Sequence, residues 1–201
     1  MKAKRLGDYL ICSPAVLKNA VKKQGQRLKR RLAPKHIGEI LLEDGLISQD
    51  ELEAAVRKQR VDRLRASPVF SMLSEAELAA ISTRFVEVAV EAGEQFIIQD
   101  ESDPTLYILA KGKVEVYRTG LDGTLIHLAY VEPFEPIGEM GYFQGGIRTA
   151  SVRAVEHSEL LRANYSALTH YFEYVPRVAH EFMRIVEQRR MATEEIMQEA
   201  S

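Results

Sequence analysis

The amino-acid sequence predicts an α+β protein, in which a small all-α N-terminal domain precedes an antiparallel β-roll of the jelly-roll type with flanking helices. Residues 4–64 carry apolar residues at helical spacing and show no strand-like alternation. Residues 84–163 change to a period of two and are rich in Val, Ile, Tyr and Phe, and residues 164–200 return to helical spacing. Many short strands separated by glycine are typical of a closed or sandwiched antiparallel sheet. We therefore predict two domains, residues 1–64 and residues 65–201.

The bulk composition narrows the class of protein. Of the 201 residues, 46% are hydrophobic and 28% are charged, which is ordinary for a folded domain and unlike a disordered chain. No apolar run approaches the roughly 18–20 residues that span a bilayer, so we expect no membrane partner. Cys12 is the single cysteine, which excludes an internal disulfide framework and fits a reducing compartment. We expect a cytoplasmic protein.

The charges are unevenly distributed along the chain. Residues 1–35 contain eleven Lys and Arg and one acid, whereas residues 36–201 contain sixteen Lys and Arg and twenty-eight acids. A basic N-terminal part indicates an anionic partner, which is a nucleotide, a nucleic acid or an acidic protein surface. The alternative is a solvated basic face that packs against the acidic remainder of the same chain.

The N-terminal domain contains recognisable helix boundaries. A helix that begins near Ile37 is predicted to end at Gly45, a plausible C-cap. The next helix begins after Ser48, with Glu51 three residues further on in the capping-box arrangement, and continues to about Leu64. Two prolines mark earlier helix starts, Pro14 and Pro34.

The alternating zone contains four predicted strands and a set of glycine turns. The strands are Phe85–Val90, Leu106–Leu109, Val114–Tyr117 and Leu125–Val131. Turns are predicted at residues 92–93, 111–112 and 122–123, each of which contains glycine. A final helix is predicted to include Pro176 in its first turn.

Residues 136–154, which we call the cassette, offer the groups that a nucleotide requires. Several glycines allow the backbone to approach a ligand closely, and a short helix that begins near Gly138 would direct N–H groups at an anion. Arg148 follows, and the planar fork of a guanidinium can hold two phosphate oxygens. Glu139 suits a ribose hydroxyl better than a phosphate. One acid for the sugar and one arginine for a cyclic phosphate form a coherent pair.

The cassette closely resembles the phosphate-binding cassette of the cyclic-nucleotide-binding domain family, which includes catabolite-activator-type regulators, kinase regulatory subunits and cyclic-nucleotide-gated channels. The resemblance covers about residues 67–190, and it rests most strongly on Glu139 and Arg148, which are nine residues apart. It implies a ligand site formed by Gly138, Glu139, Met140, Gly141, Arg148, Thr149 and Ala150. One departure is Gln99-Asp100, where the family usually has a glycine after the glutamine; we expect this turn to lie far from the cassette.

The resemblance implies a cyclic mononucleotide as the ligand. We favour cAMP over cGMP, although Thr149 could bond to the phosphate or to a guanine amino group. The alternative is a domain that has kept the fold, lost its ligand and serves as a protein-interaction scaffold. No nucleophile–base pair, phosphate-binding loop of a nucleotide hydrolase or metal-ligating cluster is evident, so we expect neither an enzyme nor a cofactor or metal.

In this family the last helix covers the base and often forms a homodimer interface. Candidate residues for these roles here are Val178, Phe182, Ile185, Arg189 and Met191. The chain reaches Ser201 shortly after this helix, from which we expect no helix-turn-helix and no DNA partner. The resulting expectation is a bacterial-type signalling adaptor that transmits second-messenger binding to an unidentified protein partner.

The N-terminal domain resembles one half of the MshEN domains of secretion and pilus ATPases. It contains two unequal copies of a motif, one leading from Arg5 to Gln24 and the other from His36 to Gln59. Intact domains of that family bind cyclic di-GMP, and the resemblance implies a dinucleotide site at Arg5, Leu6, Gly7, Gly38 and Gln59. The first copy is short and lacks a glycine, so a protein-docking module is the alternative.

Overall fold

The computed structural model describes residues 4–30, 35–120 and 122–199. The α-helices are α1 Pro14–Lys29, α2 Ile37–Glu43, α3 Gln49–Ala66, α4 Glu75–Ser82, α5 Tyr165–Tyr174 and α6 Pro176–Glu199. Two 3-10 helices span Leu6–Asp8 and Glu139–Gln144, and we call the second the cassette helix. The strands are β1 Val86–Val90, β2 Gln95–Ile97, β3 Thr105–Lys111, β4 Val114–Thr119, β5 Leu125–Val131, β6 Pro136–Ile137, β7 Ser151–Ala154 and β8 Ser158–Asn164. The described residues fall into two compact units, Met1–Asp62 and Arg63–Ser201.

The first unit is helical, and its local signals act as the sequence predicts. Gly45 has φ +66°, the left-handed conformation that ends α2, and Leu46 donates from its backbone to the carbonyl of Leu41. Ser48 and Glu51 form the predicted capping box, with bonds of 2.8 and 3.2 Å. Pro14 begins α1 as predicted, while Pro34 lies outside the described residues. The buried core of this unit consists of Leu10, Ala20, Ile40, Leu41, Ile47 and Ala55.

The second unit contains two four-stranded antiparallel sheets. Their strand orders are β1-β8-β3-β6 and β2-β7-β4-β5, and the core between them takes buried residues from both. This confirms the α+β class and the antiparallel β-roll with flanking helices. The four predicted strands are present as β1, β3, β4 and β5. Strand β3 is buried from Thr105 to Ala110, because β8 and β6 pair with its two edges and both of its faces are covered.

Aromatic rings connect the cassette helix with α5 and α6. The Tyr142 ring lies edge-on against Tyr165, Phe172 and Phe182, at centroid distances of 5.4, 5.2 and 5.6 Å. Phe172 and Phe182 stack on each other at 4.0 Å. Edge-on and stacked pairs add directional stabilisation to the burial of apolar area. The cassette helix is therefore held from its outer side by the two C-terminal helices.

Candidate functional site

The cassette helix begins at a sharp turn that only glycine suits. Gly138 follows β6 with φ +84°, and a Cβ atom on it would lie 2.1 Å from Nη1 of Arg148. The helix ends at Gly145, which is also left-handed. The predicted short helix near Gly138 is thus confirmed, in the tighter 3-10 form. The close approach of backbone and guanidinium fixes where Arg148 lies.

Arg148 is the charged group at the centre of the site, and only 2% of it is exposed. Its Nη2 donates to Oδ2 of Asp103 at 2.7 Å and to the carbonyl of Thr105 at 2.7 Å. Its Nη1 donates to the carbonyl of Gly138 at 3.2 Å and to the hydroxyl of Tyr165 at 3.0 Å. Protein acceptors therefore occupy both terminal nitrogens of the guanidinium.

The remaining nitrogen, Nε of Arg148, is buried and has no acceptor among the described residues. A buried donor without an acceptor costs about 1–3 kcal/mol, so it is retained where a ligand or water can complete it. The structure thereby changes the expected role of the guanidinium. The Nη2 end of its fork is turned toward Asp103 and Thr105, and Nε is the one guanidinium nitrogen left without an acceptor among the described residues.

Tyr165 completes the support of Arg148 from the start of α5. Its hydroxyl accepts from Arg148 and donates to the carbonyl of Gly138. Burial raises the pKa of Tyr165 to about 12, with the nearby Arg148 charge opposing part of that rise. The phenol therefore stays protonated at neutral pH and keeps its donor role. No sequence pattern marked this tyrosine, because it lies outside the cassette at a helix start.

Glu139 forms an ion pair that links the cassette to α6. Its carboxylate is 4% exposed and lies 3.0 Å from Nη1 of Arg189. Arg189 also donates to the carbonyl of Pro136 at 2.6 Å. Because Arg189 lies on α6, this helix helps to fix the position of the Glu139 carboxylate. That carboxylate is the acceptor that a ligand hydroxyl would bond to.

A cavity of about 290 Å³ lies between the cassette, β4, β5 and the end of α6. This volume is close to the lower end of the roughly 300–1,000 Å³ typical of small-molecule sites. All seven residues predicted for the ligand site line it: Gly138, Glu139, Met140, Gly141, Arg148, Thr149 and Ala150. The sequence reasoning missed the opposite walls, which include Val116, Leu128, Ala192, Thr193 and Ile196.

The residues predicted on the last helix divide into two groups. Val178, Phe182 and Ile185 are buried in the packing of the domain and do not line the cavity. Arg189 does line it, and Met191 is 59% exposed. The part of α6 that covers the cavity therefore lies mostly beyond the predicted residues, near the end of the helix.

The turn at Gln99-Asp100 is not far from the cassette, and that expectation is wrong. The Asp100 amide donates to the carbonyl of Arg148 at 2.8 Å, and the Arg148 amide donates to the carbonyl of Glu101 at 3.0 Å. Asp100 has φ +65°, which explains why glycine suits this position and why aspartate, more tolerant than most, replaces it. The turn holds the backbone of the arginine.

The residues predicted for an N-terminal dinucleotide site serve internal contacts in the first unit. Gln59 is 7% exposed and donates to the carbonyl of Lys4, and Gln24 likewise donates to the carbonyl of Lys35. A Cβ on Gly38 would lie 2.5 Å from Leu52 and 3.2 Å from Leu6. Arg5 and Gly7 lie at the first 3-10 helix. The MshEN resemblance and its ligand stay predictions.

The described ranges contain neither a candidate membrane span nor a candidate metal site. None of their helices is long and apolar enough to cross a bilayer. They contain no group of three or more His, Cys, Asp or Glu residues arranged to hold a metal ion.

Comparison with known proteins identifies the second unit. Residues 87–174 match the family described as "Cyclic nucleotide-binding domain". Residues 87–174 form a cyclic nucleotide-binding domain. The "Cyclic AMP receptor protein" of Thermus thermophilus is 34% identical over 129 residues, which are 63% of this chain and 58% of the relative. A "CRP-like cAMP-activated global transcriptional regulator" of Mycobacterium tuberculosis is 24% identical over 130 residues, covering 65% and 58%.

A solved structure extends the comparison of this domain to three dimensions. The N-terminal domain of a transcriptional regulator from Streptomyces coelicolor is 32% identical, with a TM-score of 0.53. The match covers 68% of this chain and 95% of that domain. Two of these relatives are named as transcriptional regulators and the third as a receptor protein.

These relatives correct two predictions about partners and output. The expectation of no DNA partner, and of an adaptor that is not a DNA-binding regulator, is wrong, because the relatives of the cyclic nucleotide-binding domain include transcriptional regulators. That expectation rested on the short distance between the final helix and Ser201. The chain spans 58% of the length of the curated relatives it matches, so this distance carries no information about DNA.

Proposed function

We propose that this chain binds cAMP in the cavity between the cassette and α6, as the sensing part of a CRP-type regulator of transcription. The observation that carries the proposal is Arg148, which lines a cavity of about 290 Å³ and whose buried Nε has no acceptor among the described residues. An anionic oxygen would satisfy this donor with a charge-assisted hydrogen bond. The names of two relatives, which specify cAMP, support the choice of ligand.

The phosphate, the ribose and the base of a cyclic mononucleotide would each contact chemically different residues of the cavity. The phosphate lies at Arg148, where Gly138 and Gly141 let the backbone come close. The ribose hydroxyl donates to the carboxylate of Glu139, whose oxygens accept hydrogen bonds.

The purine occupies the apolar side of the cavity, between β4, β5 and α6. Val116, Leu128 and Ile196 provide apolar contact, and Thr193 adds one hydroxyl that can bond to a base edge. Because Thr193 lies on α6, a base that bonds to it would engage the helix that also carries Arg189. Ligand binding and the position of α6 are therefore coupled in this proposal, provided that the nucleotide binds two positions of α6 unequally.

Calorimetric titration of the purified chain with cAMP and with cGMP tests the proposal. We expect heat with cAMP, and a weaker interaction with cGMP. Arg148→Lys keeps a positive charge but loses Nε and the geometry of the guanidinium, and we expect it to weaken cAMP binding by about 10–100-fold. Glu139→Gln keeps the shape but removes the ribose acceptor charge, and we expect a loss of about tenfold.

The matched control is Arg162→Lys, an exposed position on β8 outside the cavity, which should leave affinity unchanged. Circular dichroism and thermal melting of each variant separate a lost contact from a lost fold. Absence of heat with either nucleotide, or equal cAMP affinity in Arg148→Lys and in the control, would contradict the proposal.

A further inference from the structure

The structure separates the basic residues of the N-terminal unit into neutralised and unneutralised groups. Lys23 pairs with Asp44 at 2.7 Å, Lys35 pairs with Glu43, and Lys4 lies 3.5 Å from Asp62. These cations are balanced by acids of their own unit, as expected for a basic face that packs against the acidic part of the chain. The rest of the positive charge requires another explanation.

Helix α1 carries a row of unneutralised cations, and Arg57 and Lys58 of α3 are also exposed without a paired carboxylate in the described ranges. The sixteen residues of α1 include five Lys or Arg and no acid. Lys18, Lys22 and Lys29 are exposed, and no carboxylate within the described ranges pairs with them. At 3.6 residues per turn these three lysines fall within roughly 40° of one another around the helix and extend over about 16 Å along it. We call this row of three lysines the α1 lysine face.

We propose that the α1 lysine face binds the phosphate backbone of duplex DNA, independently of base sequence. A row of unpaired ammonium groups fits a line of regularly repeated negative charge, and lysine contacts to phosphate position a protein without reading bases. Asn19 and Gln26 are exposed beside the lysines and are side chains that also donate to phosphate oxygens. The three lysines belong to the first unit and none of them lines the nucleotide cavity, so the inference goes beyond the proposed cAMP binding.

A bilayer fits this helix less well. Amphipathic helices bind membranes by inserting an apolar face below the headgroups. The apolar face of α1 is already in use, because Ala20 is 2% exposed in the core of the unit and Val16 and Leu17 pack against that core. Val21 is 51% exposed beside the lysines, and one valine is too small an apolar surface to insert below the headgroups.

An acidic protein surface also fits less well. Protein interfaces are centred on aromatic or large apolar anchors, with Arg favoured over Lys. Helix α1 contains no aromatic residue, and the exposed neighbours of the lysines on one side are the amides of Asn19 and Gln26. Flexible point charges without an anchor are suited to a partner whose charge is uniform along its length.

The test is fluorescence anisotropy of a labelled duplex of about 25 base pairs titrated with the full chain at several salt concentrations, with and without cAMP. We expect binding that is similar for unrelated sequences and that weakens with salt. The variant Lys18→Gln/Lys22→Gln/Lys29→Gln should bind at least about tenfold more weakly near 0.1 M salt. Its slope of log K against log salt should be shallower by about 2–3, because each phosphate contact contributes about 0.9.

The control variant removes the same charge elsewhere, as Arg57→Gln/Lys58→Gln/Arg162→Gln, and should keep the slope of the unmodified chain. No binding at low salt, or an equal loss of slope in the control, would overturn the proposal. So would lysine-dependent binding to phosphatidylserine vesicles or to polyglutamate that is tighter than binding to the duplex. Calorimetry with cAMP on the same variants should be unchanged, so that failure of this proposal and failure of nucleotide binding are distinguishable.

Discussion

At the scale of single residues, the position of the Arg148 guanidinium depends on the absence of a side chain at Gly138. Gly138 has φ +84°, and any Cβ there would collide with Nη1 of Arg148 at 2.1 Å. Gly93 has nearly the same conformation, φ +83°, yet a Cβ on it would meet no atom within 4 Å. Substitutions at these two glycines therefore distinguish the effect of backbone strain from the effect of displacing the arginine.

We expect Gly138→Ala and Gly93→Ala to share a strain cost of about 1–3 kcal/mol in the free energy of unfolding. Only Gly138→Ala should also weaken cAMP binding, by at least about tenfold, because it displaces the guanidinium from the cavity wall. Thermal unfolding and calorimetry measure the two effects. Equal cAMP affinity in both variants would show that the position of Arg148 does not govern binding.

At the scale of elements, one carboxylate ties the start of α4 to the start of α6. Glu77 accepts from the hydroxyl and amide of Ser74, the N-cap of α4, and it also pairs with Arg177 of α6. The Ser74 bonds, with Arg177 contributing, lower the pKa of Glu77 from 4.5 to about 2. The folded state therefore favours the ionised carboxylate more strongly than the unfolded state does.

Because the folded pKa lies below the unfolded value, this stabilisation is complete above about pH 5 and is lost as the pH falls from 4.5 toward 2. Glu77→Gln should lower the free energy of unfolding at pH 7 and make it less dependent on pH in that acidic window. Urea unfolding at pH 7, 5 and 3 measures this. Glu195→Gln, an exposed change on α6, is the control, and a pH profile of Glu77→Gln identical to that of the unmodified chain would refute the argument.

At the scale of the whole molecule, each compact unit has a core of its own. The core of the second unit includes Val90, Leu109, Val131 and Leu160, all of which lie on its two sheets. The core of the first unit is formed by residues of α1–α3 and the segments beside them. A unit with its own core can fold by itself.

We expect the chain shortened to residues 62–201 to fold cooperatively and to bind cAMP within a few-fold of the full chain. All the residues that line the cavity lie in that part. Analytical ultracentrifugation, thermal unfolding and calorimetry are the measurements. Aggregation of the shortened chain, or loss of cAMP binding, would show that the N-terminal residues belong to the same cooperative structure.

The periodicity of the sequence predicted much of the fold. The strands that it did not predict are either very short or lack a recognisable pattern. Strands β1, β3, β4 and β5 have five to seven residues and were predicted from alternation together with their content of Val, Ile, Tyr and Phe. Strands β2 and β6 have three and two residues, too few for a period of two to be visible. Strand β8 has seven residues, but it contains no Val, Ile, Tyr or Phe, and Leu160 and Leu161 are both buried, so neither composition nor alternation marks it as a strand.

The sequence by itself determined the helix caps and the alternating strands, because each of these depends on residues close together in the chain, and the family resemblance of the cassette predicted the seven residues found at the cavity. Only the tertiary structure decided how the charges of the site are balanced: Asp103 and Tyr165 hold Arg148, and Arg189 holds Glu139. Ion pairs and hydrogen bonds act over a few ångströms between atoms, and chain separation does not limit them. Thr193 and the apolar walls were not predicted for the same reason. They form a binding surface only because the fold brings α6 and β5 next to the cassette.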